Sequence, residues 1–272
     1  MPPAATPPLS GLAIRVWVDA FRAVAAMPVV AGIGIGLLIA LGLASDLLPP
    51  LFRSGQPETL GQSLMWSGAA GMVESFLLAP LAIAIQRHVL LGEVTRGYSL
   101  ALSDPRFLRF FYFSFTLALA QTILFFVATL VLPAAFNAPA NAAEPNGTGV
   151  TITAGIIVGV LLVLARLILV FPAAAVDAPG ATWGNAWRAS RGHFWTIAFV
   201  FILTGLPALL LWLLIGQMLG IKDNSNFSQT YFMLQEMPTL CAYAAAAARL
   251  YQVFGGALGD SPGKADGNIS VV

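Results

Sequence analysis

The sequence predicts an all-α fold: a polytopic membrane bundle of six transmembrane helices, ordered as three two-helix repeats with interfacial amphipathic helices. Three observations predict it. Of 272 residues, 58% are hydrophobic and 9% charged, with a mean hydropathy of +0.83. Soluble domains carry roughly 25% charged residues, so this composition cannot cover a water-facing surface. Six apolar stretches reach the length of about 20 residues that a helix needs to cross a hydrocarbon core of roughly 30 Å. Finally, when those stretches alternate in direction, the basic residues collect on one side.

Residues 1–9 hold four prolines and read as a flexible tail. They place no basic residue before a short apolar core, and no small-residue cleavage pattern follows, so the first apolar stretch is expected to be a retained span. Ahead of it, Arg15, Asp19 and Arg22 share one helical face, while Ile14, Trp17, Val18 and Phe21 cover the rest. That pattern predicts a helix lying in the interface, with Trp17 and Arg22 as headgroup anchors. The spans are expected at about 24–43, 63–85, 110–132, 150–171, 194–219 and 231–254, within a transmembrane domain over 10–254. Turn-rich pieces separate them: residues 48–57 with three prolines, 137–149 and 222–228. Asp104 before Pro105 reads as an N-cap followed by proline at the first helical position. Thr182 reads as the cap of a third interfacial helix, with Trp183, Trp187, Arg188 and Arg191 as anchors. Residues 255–272 read as a second flexible tail.

With both termini on one side, that side holds eleven of the 13 basic residues, leaving Arg53 and Lys222 on the other. The positive-inside rule then makes both termini cytoplasmic, and an odd number of spans would destroy the partition. The repeat is carried by Arg166-Leu-Ile-Leu-Val-Phe and Arg249-Leu-Tyr-Gln-Val-Phe, with a weaker copy at Arg87. These arginines are 79 and 83 residues apart, and Arg109 and Arg188 each follow the preceding one by 22. The plainer account is that arginine is simply common at cytoplasmic helix ends.

Charges inside a span need a reason, since each costs at least about 2.5 kcal/mol at mid-bilayer. Glu74 precedes Arg87 by 13 residues, Glu236 precedes Arg249 by 13, and Thr153 holds the matching place before Arg166. Thirteen helical residues rise about 20 Å, which rules out salt bridges within one helix. Two readings stand open. The glutamates contact a polar substrate, an ion or a proton in a shared cavity, or they sit near the outer interface and fix helix packing. Arg87, Arg166 and Arg249 are candidate binding or packing residues that could also snorkel to lipid phosphates.

Several function classes have no residues to support them. A net charge of +1 gives no reason to expect nucleic acid. The one cysteine, Cys241, excludes an intrachain disulfide and a Cys-based zinc site. His88 and His193 have no second ligand at metal spacing, and neither a Ser/His/Asp set nor HExxH occurs. No metal, cofactor or enzymatic activity is expected. Gly32, Gly34 and Gly36, Gly155 with Gly159, and the run Ala244 to Ala248 read as small faces for close helix packing. Pro80, Pro207 and Pro238 are expected to kink their spans or free carbonyls.

Arg166, Leu169, Phe171, Pro172 and Ala173, then Asp177, Gly180, Ala186, Trp187, Ser190, Gly192 and Trp195, form a block. It resembles one joining spans four and five in bacterial six-span proteins: the membrane domain of glycerophosphodiester phosphodiesterases and uncharacterised YciC-type relatives. The resemblance implies a multi-span fold in the bacterial cytoplasmic (inner) membrane. It carries over no catalytic residue, because the hydrolytic activity of those enzymes belongs to a soluble barrel for which nothing here has the length or polarity. The expectation is an envelope-organising or lipid- and protein-interaction protein, with membrane lipids and other membrane proteins as partners. The alternative is a small transporter or lipid-handling protein that uses Glu74 and Glu236.

Overall fold

The computed structural model describes residues 9–47, 60–132, 147–219 and 228–259, and all regular structure among them is helical. The loops carrying Arg53 and Lys222 lie outside the described residues, as do most of the two tails. In chain order the helices are α1 (Leu9–Ala26), α2 (Pro28–Leu47), α3 (Leu60–Leu91), α4 (Pro105–Val131), α5 (Gly147–Leu167), α6 (Val170–Ala175), α7 (Trp183–Ala189), α8 (Phe194–Leu219), α9 (Ser228–Phe254) and α10 (Gly256–Gly259).

Among the described residues, four stretches are each long and apolar enough to cross a membrane: Gly68–Leu91, Pro105–Val131, Gly147–Leu167 and Phe194–Met218. A fifth follows if α1 and α2, which meet at 99°, count as one broken span. The bend falls at Met27, just before Pro28, a proline being tolerated at the first position of a helix and disfavouring helical conformation in the residue ahead of it. The helix that covers expected span one therefore begins four residues later than expected: Val24 belongs to α1, and α2 begins at Pro28.

α9 is the helix that the others surround, packing on α1, α2, α3 and α8. Its composition explains the position. Ala242 and Ala244 to Ala248 are all buried, and side chains ending at Cβ let neighbouring backbones approach closely. Gly34 of α2 faces the same centre, where an added Cβ would meet Leu81 at 3.0 Å and Met237 at 3.6 Å. Gly32 and Gly36 have open space instead, so one glycine of the three makes the close approach. Gly155 and Gly159 differ from expectation in the same way, since α5 turns them outward with nothing within 4 Å. α5 is the peripheral helix, with Ile157, Val158, Leu161, Leu162 and Val163 exposed.

The helix ends at one side of the bundle are tied together by short elements. Asp104 caps α4 by accepting from Arg106 N at 2.9 Å, and Thr182 caps α7 by accepting from Asn185 N at 3.3 Å. α6 closes with Ala178 N bonding Ala173 O and Asp177 N bonding Ala174 O, which puts Asp177 at φ 55° in the left-handed position of a Schellman motif. Aspartate tolerates that conformation better than most residues, and its carboxylate pairs with Arg106. Gly180 N bonds Leu258 O at 3.1 Å, fastening α10 to the α6–α7 connection.

Overfilling the centre tests this arrangement. Ala245→Leu should lower stability by about 1–3 kcal/mol, seen as a lower midpoint of thermal unfolding in detergent. Gly155→Leu, pointing into open space, should leave the midpoint unchanged or higher. Equal behaviour of the two variants contradicts an α9-centred core.

Candidate functional site

The structure brings Glu74 of α3 and Glu236 of α9 within reach of each other. Glu74 is half-buried and Glu236 exposed. Both helices contain a proline close by, Pro80 six residues after Glu74 and Pro238 two after Glu236.

Glu74 also stands where two cavities adjoin. The larger, about 430 Å³, lies between α3, α4 and α5, and runs from Leu64 and Gly68 past Gln121 to Ile157 and Leu164. The smaller, about 230 Å³, follows α3 from Glu74 to Gln86, with α4, α6 and α9 as further walls. Glu74, Ser75, Ser114, Leu164 and Phe171 line both, so the two form one groove open along the side of the bundle. Its walls are mostly apolar, which is the usual make-up of a small-molecule site. The gap exists because α5 makes few contacts with α4 and none of substance with α3, while α3 and α4 pack along much of their length.

Sequence reasoning missed the polar residues that accompany Glu74. Gln86 is only 2% exposed, and its Oε1 has no hydrogen-bond partner. Leaving such an acceptor unmet costs about 1–3 kcal/mol. A glutamine beside the arginine of the weakest repeat copy was the available signal. Thr153, which holds the glutamates' place in α5, has a buried Oγ1 without a partner and lies on the helix face of Ile157, Val160 and Leu164.

The arginines stand apart from the groove and have partners at the tied end of the bundle. Arg87 bonds the Glu93 carboxylate at 2.8 and 2.9 Å and the Ala175 carbonyl at 2.7 Å. Arg249 pairs with Asp19 of α1 at 2.6 Å. Arg166 lies over the rings of Trp187 and Phe194, 5.2 and 5.0 Å from their centroids. Each thus holds a different connecting segment or short helix. Of the expected anchors, Arg22, Trp187, Arg188 and Arg191 are exposed. Trp183 packs edge-on against Phe113 at 4.7 Å, and Trp17 turns inward, its Nε1 donating to Thr204 O at 3.2 Å. His88 Nδ1 lies 3.1 Å from the Glu93 carbonyl, and His193 stacks on Phe254.

Trp17 is one of three side-chain donors to a carbonyl in the turn before a helix proline. Proline removes one helix hydrogen bond and crowds the carbonyls of the preceding turn. Three residues before Pro207, Thr204 O accepts from Trp17. Three before Pro80, Leu77 O accepts from the Tyr98 hydroxyl. Three before Pro238, Gln235 O accepts from Thr239 Oγ1 at 3.2 Å. All three helices run on through their prolines; Trp17 and Tyr98 come from outside the helix they bond, whereas the Thr239 bond is the i−4 bond that Thr116, Thr122 and Thr129 also make in α4.

Comparison with protein-family models, with curated proteins and with solved structures finds no match to this chain.

Tyr98 lies in the connection between α3 and α4, and burial pushes its phenol above the ordinary range. The folded state therefore holds that proton more tightly than the unfolded chain does. Its contribution is intact below the ordinary phenol pKa of about 10 and is lost as pH rises from there toward the folded value. Tyr98→Phe should cost about 1 kcal/mol at neutral pH. The gap between wild type and variant should then close in alkali. A gap that stays constant with pH in thermal unfolding contradicts the Tyr98–Leu77 bond.

Proposed function

We propose that the chain is a non-enzymatic six-span protein of the bacterial cytoplasmic membrane that binds a lipid-like amphiphile in the groove around Glu74. The observation that carries this reading is the pair of adjoining cavities, apolar over most of their walls, that share a carboxyl group. A molecule with a long apolar part and a small polar part matches that division, and the open side faces where membrane lipid would stand. The groove favours handling of a bound molecule over a purely organising role. A contribution to envelope organisation draws support from the other end, where Arg106–Asp177, Arg249–Asp19 and Gly180–Leu258 tie the interfacial segments into one surface. The block that resembles the six-span family folds into α6 and α7 of that surface.

In this reading α2 and α9 complete the six spans. α9 carries Gln235, Glu236, Arg249 and Gln252, but it is sheathed by other helices and need not be apolar all round. Partners of Arg87, Arg166 and Arg249 in three different interfacial segments support three repeats. Both termini are then cytoplasmic.

Topology can be read with single added cysteines, because the native Cys241 is buried. In spheroplasts, an impermeant maleimide should label Lys222→Cys, and should reach Ser99→Cys only after lysis. The opposite order overturns the orientation.

The groove is tested with a dodecanol carrying a diazirine in its chain, photolysed with the full-length protein in phosphatidylcholine nanodiscs. Labels should concentrate at Leu117, Ile157 and Leu164, and fall about tenfold in Ser114→Trp, which places a large side chain where the cavities meet. Labels spread evenly over outward residues such as Leu130 and Leu213, unchanged in the variant, overturn the groove as a binding site.

A further inference from the structure

We propose that Arg166, held against the rings of Trp187 and Phe194, binds the phosphodiester head of an anionic phospholipid at the end of α5. This site lies apart from the groove and rests only on the placement of the chain in a membrane. A comparison of the three repeat arginines singles it out. Arg87 gives its donors to the Glu93 carboxylate and the Ala175 carbonyl, and Arg249 gives its own to Asp19 and Gln252. Arg166 has no oxygen acceptor among the described residues; its guanidinium carbon stands 5.2 Å from the Trp187 centroid and 5.0 Å from that of Phe194. A ring face attracts the charge and fixes its place but supplies no oxygen for the N–H groups. The side chain is half-buried, and no nitrogen of it is sealed inside the protein. A positioned, reachable fork of N–H donors is thus left unmet, and a phosphate matches it through two parallel hydrogen bonds.

The surrounding charge selects the same partner. At this end of the bundle the carboxylates among the described residues are all engaged: Asp19 with Arg249, Glu93 with Arg87 and Asp177 with Arg106, while Asp104 caps α4. Arg188 and Arg191, in the stretch that supplies Trp187 and Phe194, are exposed and have no carboxylate partner among the described residues. An anion entering here meets an uncompensated positive field. A choline head brings its own cation beside the phosphate, whereas a glycerol head brings only hydroxyls.

Position makes the source a lipid. Arg166 lies in the last turn of α5, an apolar stretch long enough to cross a membrane. Leu161, Leu162 and Val163, in the turn before it, are exposed, and so are Trp187 and Trp195, the residue type that collects at headgroup level. A phospholipid standing on α5 sets its phosphate at the guanidinium and its chains along those aliphatic side chains.

The test uses the full-length protein in phosphatidylcholine nanodiscs that contain a minor share of phosphatidylglycerol with a diazirine near the head end of one acyl chain. Labelled peptides are mapped by mass spectrometry. Labels should concentrate between Leu161 and Leu167 and at Trp195, at least about tenfold above those from the same probe with a choline head, the scale of one charged hydrogen bond. Arg166→Gln should remove that preference. Arg166→Lys, which keeps the charge without the fork, should lose most of it. Arg96→Gln, which removes an exposed arginine from the connection between α3 and α4, should leave it unchanged. Thermal unfolding verifies that the variants fold, and the comparison of the two heads in the wild type needs no variant. Equal labelling by the two heads, a preference that survives in Arg166→Gln, or an equal loss in Arg96→Gln overturns the inference. Displacement of the probe by inorganic phosphate at matched concentration overturns the lipid as the ligand. Diazirine-bearing dodecanol in the same discs should label the groove alike in wild type and Arg166→Gln, so failure of the groove and failure of this site are read separately.

Discussion

Ala244 to Ala248 are buried, and four helices close around α9 because those side chains end at Cβ. In a bilayer there is no hydrophobic drive between helices, since lipid tails are as apolar as leucine, and association depends on contact. An alanine run keeps every face of that turn small, where larger residues would hold the backbones apart. It also explains why α9 is less apolar than its neighbours. A helix covered by protein needs small residues, whereas one covered by lipid, such as α5, needs large apolar ones.

Once α9 is fixed, the remaining polar groups must be met inside the protein or at its ends. Proline in a span opens a carbonyl in a medium that cannot satisfy it. In the turns before Pro80 and Pro207, the carbonyls of Leu77 and Thr204 take donors from outside their helix, Tyr98 from a connection and Trp17 from α1. Trp17 and Tyr98 therefore help hold α8 and α3 although they come from other segments. The arginines follow the same logic at the helix ends, met by carboxylates, carbonyls and ring faces.

Much of the fold was legible because it rests on local chemistry. Asp104 and Thr182 were readable as caps, and the apolar runs as helices, from a few consecutive residues. Other features depend on what stands opposite. Gly32, Gly34 and Gly36 are alike in sequence, yet one meets Leu81 and Met237 while two face open space. Trp17 has an anchor's composition but lies within reach of Thr204, which is 187 residues away. The candidate site divides similarly. Glu74 and Glu236 stand out as charges in apolar runs, but their meeting is a property of how α3 packs on α9. Gln86, Ser75 and Ser114 are ordinary polar residues until the groove collects them.

The groove has its origin in a mismatch between two kinds of packing. α3 and α4 engage along a phenylalanine-rich face, with Phe76, Phe107 and Phe111 in edge-to-face and stacked contact. α5 faces that pair with leucine, valine and isoleucine and a threonine that has no partner. Bulky aromatic rings on one side and a loosely held aliphatic helix on the other cannot interdigitate to the density of the α9 core. The space left between them holds the Glu74 carboxyl. α3 packs on the α9 core through Leu78, Leu81 and Ile85 on its buried face. The smaller cavity is walled by Ala244 and Ala247 of α9 as well, so the groove borders the core and the Glu74 carboxyl stands at their boundary.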